Sequence, residues 1–210
     1  MRKFFMASVL LLAALSASAQ QEVGTWALTP RVGLASAGMS NQKIFTDVGG
    51  ADYKDAERKI GFVGGADVTW RLHQQVGFSA GLFYSNEGFK YPEIEGLKLK
   101  HSLSFLNMPL MGNFYVTDHL CINAGVQVSW LAAASQTLRH GDQTETRDLN
   151  NYKSLNFAVP VGVSYQQGNV VLDLRYNIGL RDLNDHELTG ETCRTNSLWL
   201  TLGYRIPFAL

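Results

Sequence analysis

Eight stretches of the chain alternate apolar and polar residues with a period of two, and one flank of nearly every stretch is apolar. That period belongs to extended strands, whose successive side chains point to opposite faces. A sheet this greasy needs a second layer to cover it in water and needs none in a lipid bilayer. The pattern predicts an all-β fold: an eight-stranded antiparallel up-and-down transmembrane β-barrel. A soluble sandwich, or a ligand-binding calyx in the periplasm, is the alternative with the same periodicity.

In the first stretch Trp26, Leu28, Pro30, Val32 and Leu34 oppose Thr29, Arg31 and Gly33. The second sets Ile60, Phe62, Val68, Trp70 and Leu72 against Asp67, Thr69 and Arg71, and the third sets Val76, Phe78, Leu82 and Tyr84 against Ser79 and Ser85. The fifth runs from Leu120 to Trp130, the sixth from Leu155 to Tyr165, the seventh from Val170 to Gly179 and the eighth from Leu198 to Phe208. The fourth, about Leu99 to Phe114, is irregular: Leu103 and Phe105 share one parity, whereas Leu106, Met108, Leu110 and Phe114 share the other. A one-residue slip swaps faces, so a β-bulge is expected near Phe105–Asn107.

The connections alternate too. Short ones fall at His73–Gln75, Val116–His119 and Gln166–Asn169; long polar ones fall at Met39–Arg58, Asn86–Lys98, Gln136–Tyr152 and Arg181–Asn196. Short periplasmic turns and long external loops are the habit of outer-membrane barrels, and an even strand count puts both termini on the periplasmic side. Aromatics gather at stretch ends: Trp26, Trp70, Phe114, Tyr115, Tyr165, Tyr204 and Phe208 at the periplasmic end, Tyr84 and Trp130 at the other. Four prolines resist the scheme, because each removes a ladder donor and a closed barrel has no edge to hide it. Pro109 and Pro160 are therefore expected at bulges, and Pro30 and Pro207 near the periplasmic rim.

Ahead of the strands, Met1-Arg2-Lys3, the apolar run Phe4–Leu15 and Ala17-Ser18-Ala19 read as a secretory signal peptide, residues 1–19, cut before Gln20. That run is too short to span a bilayer as a helix, which takes about 20 residues. The barrel domain is then residues 20–210. Arg2 and Lys3 leave with the signal, so 18 acidic residues exceed the remaining basic ones by two. No basic stripe suits nucleic acid. Cys121 and Cys193 map to opposite ends of the barrel, beyond the ~7 Å Cα separation a disulfide allows, and are expected to be unpaired.

The inward flanks carry Arg31, Asp67, Arg71, Asp173, Arg175 and Arg205, with Asn123 and Gln127. The eighth strand closes on the first, which should bring Arg205 near Arg31, with Asp67 and Asp173 as counter-ions. A lumen this narrow is just wide enough for side chains to fill. The charges form either an ion-pair network that plugs it or a narrow passage for small anions.

Chemistry-bearing motifs are sparse. The histidines at 73, 101, 119, 140 and 186 have no metal-ligand spacing, and Asp182–Glu187 lacks the glycine and closing glutamate of an EF-hand loop. That acidic loop is a solvated one, or else takes divalent cations that bridge lipopolysaccharide. His101 and Ser102 are adjacent, but strand neighbours face apart. No catalytic residue, metal site or cofactor is expected, and no phosphate-binding glycine loop is present.

Phe105-Leu106-Asn107-Met108-Pro109-Leu110-Met111 resembles the Y-L-E-I-P-L-L stretch of small outer-membrane β-barrel proteins of Bacteroidota, the porin-family or PorT-like group. Ala124–Ser129 resembles the A-G-P-Y-V-S strand that follows it, and Leu200–Arg205 resembles the closing strand. Asn113 departs from a usual lysine, and the terminal Leu210 departs from an aromatic that aids recognition by the insertion machinery. The resemblance implies fold and outer-membrane location and carries no catalytic residues. The expected role is structural or interactive, with outer-membrane lipid, lipopolysaccharide, the barrel-insertion machinery and a protein at the external loops as partners. A small-solute pore and a PorT-like secretion accessory are the alternatives.

Overall fold

The computed structural model describes residues 23–39, 43–45, 53–55, 57–90, 97–140, 143–148, 154–181 and 194–208. Eight strands close into one antiparallel barrel: Trp26–Met39, Glu57–Arg71, Val76–Lys90, Leu97–Tyr115, Leu120–His140, Leu155–Gln167, Val170–Gly179 and Thr195–Tyr204, the last continued by Ile206–Phe208. Sequential strands pair, and the eighth returns to the first through Arg31↔Gly203 and Trp26↔Phe208. Closure gives every strand two neighbours, which is how a sheet satisfies its backbone in hydrocarbon. Two short additions stand at the long-loop end. Gln143–Asp148 folds back along the fifth strand, and Lys43–Phe45 pairs with Tyr53–Asp55.

The barrel is inside-out relative to a soluble protein. Outward Val32 and Ile60 are 66% and 71% exposed, while inward Asp173 and Arg175 are 1% and 4% exposed. On the eighth strand the apolar outward row runs from Leu198 to Phe208. Ten residue steps at about 3.3 Å, tilted by about 40°, give a band about 25 Å tall, the height of an outer-membrane hydrocarbon layer. Aromatic pairs mark both borders. Trp26 stacks on Trp70 with centroids 5.5 Å apart at the short-turn end, and Phe62 meets Tyr84 at 5.6 Å at the other. Tyr115 leaves the expected girdle: it points inward, 7% exposed, beneath the Arg71 guanidinium at 4.3 Å.

The fourth strand corrects the expected bulge. Leu103, Phe105, Asn107, Pro109 and Met111 all face inward, and the register against the third strand is unbroken from Phe83↔Asn107 to Glu87↔Leu103. Parity is kept; the surroundings change. Beyond the Tyr84/Leu106 level the strands leave the bilayer, so the apolar residues turn to the interior and polar ones take the outer flank. Asn86 Nδ2, for example, donates to Ser104 Oγ at 3.1 Å across that flank. The slip lies on the fifth strand instead, where Ser104 faces Ala133 and Phe105 faces Leu131. Ala132 is the extra residue, and after it the inward positions change from odd to even, as at Ala134.

The same reversal explains why several strands outrun their expected ends. The third continues through Asn86–Lys90 and the fifth reaches His140, both in stretches expected to be loops. Pro109 and Pro160 do not sit at bulges either. Pairing between the third and fourth strands lapses between Ala80↔Leu110 and Phe83↔Asn107, and between the fifth and sixth between Ala124↔Val161 and Gln127↔Ala158, with register unchanged on each side. The first and eighth strands lapse likewise beside Pro30, between Leu28↔Ile206 and Arg31↔Gly203. Each of these prolines interrupts one ladder locally and keeps its partner on the other side. Pro207 pairs with Ala27 past the end of the seventh strand, near the rim as expected.

Candidate functional site

The barrel interior holds three layers. The first, nearest the short turns, is the charge cluster. Arg31 is placed between Gly203 and Gly65 on its neighbouring strands. A Cβ at Gly203 would lie 2.7 Å from Arg31 Cγ, so glycine makes the room for that side chain. Arg31 Nε then meets Asp67 Oδ2 at 2.6 Å, and Nη1 meets Asp173 Oδ2 at 3.3 Å. Arg175 Nη2 reaches Asp173 Oδ1 at 3.4 Å.

Neutral donors complete the carboxylates: Ser164 Oγ donates to Asp173 at 2.6 Å, Asn123 Nδ2 to Ser164 at 2.8 Å, and Thr69 Oγ1 to Asp67 at 3.2 Å. Buried charges persist only when so paired, since desolvation costs several kcal/mol per ion. Four of the six expected charges thus share one network. The other two lie towards the short turns: Arg205 donates to the Gln166 side-chain oxygen, and Arg71 donates to the Gln74 carbonyl at 2.7 Å.

Above the charges sits an aromatic layer. Phe83 and Trp199 meet at 6.0 Å, each 1% exposed, with Val63 and Ala35 packed beside them. The Arg175 guanidinium lies 5.8 Å from the Phe83 ring centroid and 6.0 Å from that of Trp199, so cation–π attraction ties this layer to the one below. Asn107 and Gln127 occupy the opposite sector, joined by a 3.1 Å hydrogen bond. Phe83 owes its place to Gly81, where a Cβ would fall 2.6 Å from Phe83 Cε2. Gly81→Ala should therefore cost about 1–3 kcal/mol through overpacking, read as a lower urea midpoint in vesicles.

The third layer, towards the long loops, is a small chamber around Glu87. Glu87 Oε1 accepts from Ser85 Oγ and from Trp199 Nε1, both at 2.9 Å. Sequence reasoning missed Glu87, Phe83 and Trp199. Phe83 and Trp199 share the inward parity of their strands but are apolar, and Glu87 falls in a stretch read as loop. The recoverable signal was the uninterrupted alternation Phe83, Ser85, Glu87, Phe89.

Other chemistry-bearing side chains lie apart. His101 stacks on Phe89 at 4.6 Å, while Ser102 Oγ accepts from Lys59 Nζ. His119 lies in a turn, its Nδ1 2.9 Å from the Gln166 carbonyl. Among the described residues no three His, Cys, Asp or Glu side chains gather in a metal-holding group. Cys121 is a free, buried thiol. Cys193, His186, the Asp182–Glu187 stretch and the expected 1–19 signal segment lie outside the described residues.

Comparison with known proteins agrees with this architecture. Ail, the attachment invasion locus protein of Yersinia pestis, solved with sucrose octasulfate, superposes with a TM-score of 0.51 at 13% identity, covering 88% of this chain and 100% of that one. Neisserial surface protein A gives 0.47 at 17% identity, covering 87% and 97%. OprG from Pseudomonas aeruginosa gives 0.44 at 12%, covering 88% and 97%. At these identities the likeness concerns the fold. No curated protein sequence matches significantly. The sequence model of the outer membrane protein beta-barrel domain matches residues 18–185, most of the chain. On that match, and on a closed eight-stranded barrel with an apolar exterior, the chain belongs to the outer membrane protein beta-barrel domain family.

Proposed function

We propose that this outer-membrane barrel is sealed and works as a structural or interaction protein through its long-loop end, without a catalytic step of its own. The observation that carries this reading is the Phe83–Trp199 layer seated on the Arg31–Asp67–Asp173–Arg175 network. The six lumen charges then serve as a plug, and the arginine excess does not amount to an anion path. Purified protein in planar bilayers should be electrically silent, and Phe83→Ala with Trp199→Ala should introduce discrete conductance steps. Anion-selective current through the unaltered protein would overturn the proposal.

Lipopolysaccharide is the partner the rim favours. Lys90 and Lys100 face each other across the third and fourth strands, Lys90 is paired with Glu57 at 3.0 Å, and exposed Arg139 stands on the next strand. Like charges directly opposite destabilise a ladder, and a lipid phosphate would answer the lysine and arginine that Glu57 leaves over. Ail was crystallised with a heparin analogue, itself a polyanion. A second reading, a PorT-like secretion accessory of Bacteroidota, is supported by the Phe105–Met111, Ala124–Ser129 and Leu200–Arg205 motifs. Deleting the gene and measuring protein export tests it, with unchanged export counting against it. An export signal ending at Ala19 predicts a mature N-terminus at Gln20 and delivery to the insertion machinery.

A further inference from the structure

We propose that the chamber at the long-loop end of the lumen binds one small monovalent cation, of sodium size, through the Glu87 carboxylate and the side-chain oxygens of Gln127, Asn156 and Asn177. These four residues line one cavity of about 10 Å³, room for a single water-sized guest. All are buried, at 5%, 4%, 5% and 3% exposure.

The Gln127 orientation follows from a chain of donors. Asn107 Nδ2 donates to Ser85 Oγ at 2.9 Å and to the Phe83 and Phe105 carbonyls at 3.4 and 3.5 Å, which fixes that amide. Its oxygen must then accept, and Gln127 Nε2 supplies the proton at 3.1 Å. Asn156 Nδ2 donates to Thr195 Oγ1 at 3.1 Å, and Asn177 Nδ2 donates to Ser197 Oγ at 3.2 Å, a hydroxyl whose own proton goes to Glu87. With all three nitrogens committed, Gln127 Oε1, Asn156 Oδ1 and Asn177 Oδ1 are left buried without a hydrogen-bond partner. Native interiors rarely leave such acceptors unmatched.

The carboxylate has the same need. Its donors, Ser85, Trp199 and Ser197, are neutral. The nearby cations donate to groups other than the carboxylate. Arg58 Nη2 donates to the Ser36 carbonyl at 2.6 Å, and Lys59 Nζ donates to Asn86 Oδ1 at 2.7 Å, to Ser102 Oγ at 2.8 Å and to the Glu87 backbone carbonyl at 3.2 Å. One carboxylate with several carbonyl-type oxygens, and neither imidazole nor thiolate, is a donor set for a hard cation. A single positive charge neutralises Glu87. A second would add to a lumen where Arg31, Arg175 and Arg205 already outnumber Asp67 and Asp173.

The test compares the thermal midpoint of heat-modifiable gel mobility for the full barrel in sodium chloride and in choline chloride at equal ionic strength, since choline is too large for the chamber. The midpoint should be higher in sodium by about 3 °C or more. Glu87→Gln keeps the volume and the acceptor for Trp199, and should abolish the difference. Equal midpoints for the unaltered protein, as water or a protonated Glu87 would give, overturn the proposal, as does a sodium response that survives Glu87→Gln. Should Glu87→Gln fail to fold, crystals of the unaltered protein soaked in thallium(I) decide. One anomalous peak among the four oxygens supports the site, and no peak there refutes it. Neither result depends on whether the lumen conducts.

Discussion

Asp173→Ala should lower folding stability by about 3–5 kcal/mol, the cost of leaving a buried charge without its partner. Asp173 holds Arg31 and Arg175 at once and accepts from Ser164 at 2.6 Å. Its loss strands the Arg175 guanidinium and leaves Arg31 with Asp67 alone. A protein with about 5–15 kcal/mol in total would fold poorly, seen as a large drop in the urea midpoint in phospholipid vesicles. Replacing Arg31, Asp67, Asp173 and Arg175 together by Met, Leu, Leu and Met should be far milder, because a well-packed apolar set often matches a buried ion network. If Asp173→Ala cost less than about 1 kcal/mol, the network would not be the seal described here.

The second large effect lies on the opposite face. Leu202, 55% exposed, sits midway along the outward row of the eighth strand. Leu202→Arg should cost about 2–4 kcal/mol, since a cation at the bilayer midplane loses its hydration, whereas Phe208→Arg at the border should cost about 0–1. On a water-soluble barrel the same exposed Leu202→Arg change would stay within about 0.5 kcal/mol. Reversible unfolding from vesicles measures both variants. Equal costs at the two depths would argue against hydrocarbon contact.

The bilayer halves of the strands were legible because one solvent, lipid, imposes one rule on every outward residue. The halves beyond it were not, because there the rule reverses. Phe89, Leu103 and Phe105 are apolar and inward, so the fourth stretch imitated a register slip and Asn86–Lys90 imitated a loop. The real slip, at Ala132, lies past Trp130, where the apolar outward row had already ended. Proline positions misled for a different reason. A bulge is one way to lose a ladder donor, and a local lapse beside Pro109 or Pro160 is another that leaves no mark on periodicity. The charges were visible as inward residues, with Asp67 and Asp173 as counter-ions, but which carboxylate each arginine meets was not. The aromatic seal was not, since Phe83 and Trp199 look like any other apolar strand residues until the barrel closes and brings them within 6.0 Å.

Accessibility along the eighth strand tests lipid contact most directly. With Cys121 and Cys193 replaced by serine, single nitroxide labels placed from Ser197 to Leu202 in vesicles report collisions with oxygen, which partitions into hydrocarbon, and with a water-soluble nickel chelate. Labels at 198, 200 and 202 should relax strongly with oxygen and hardly with the chelate, and those at 197, 199 and 201 weakly with either. Chelate collisions dominating at 198, 200 and 202 would mean that water, not lipid, covers that face.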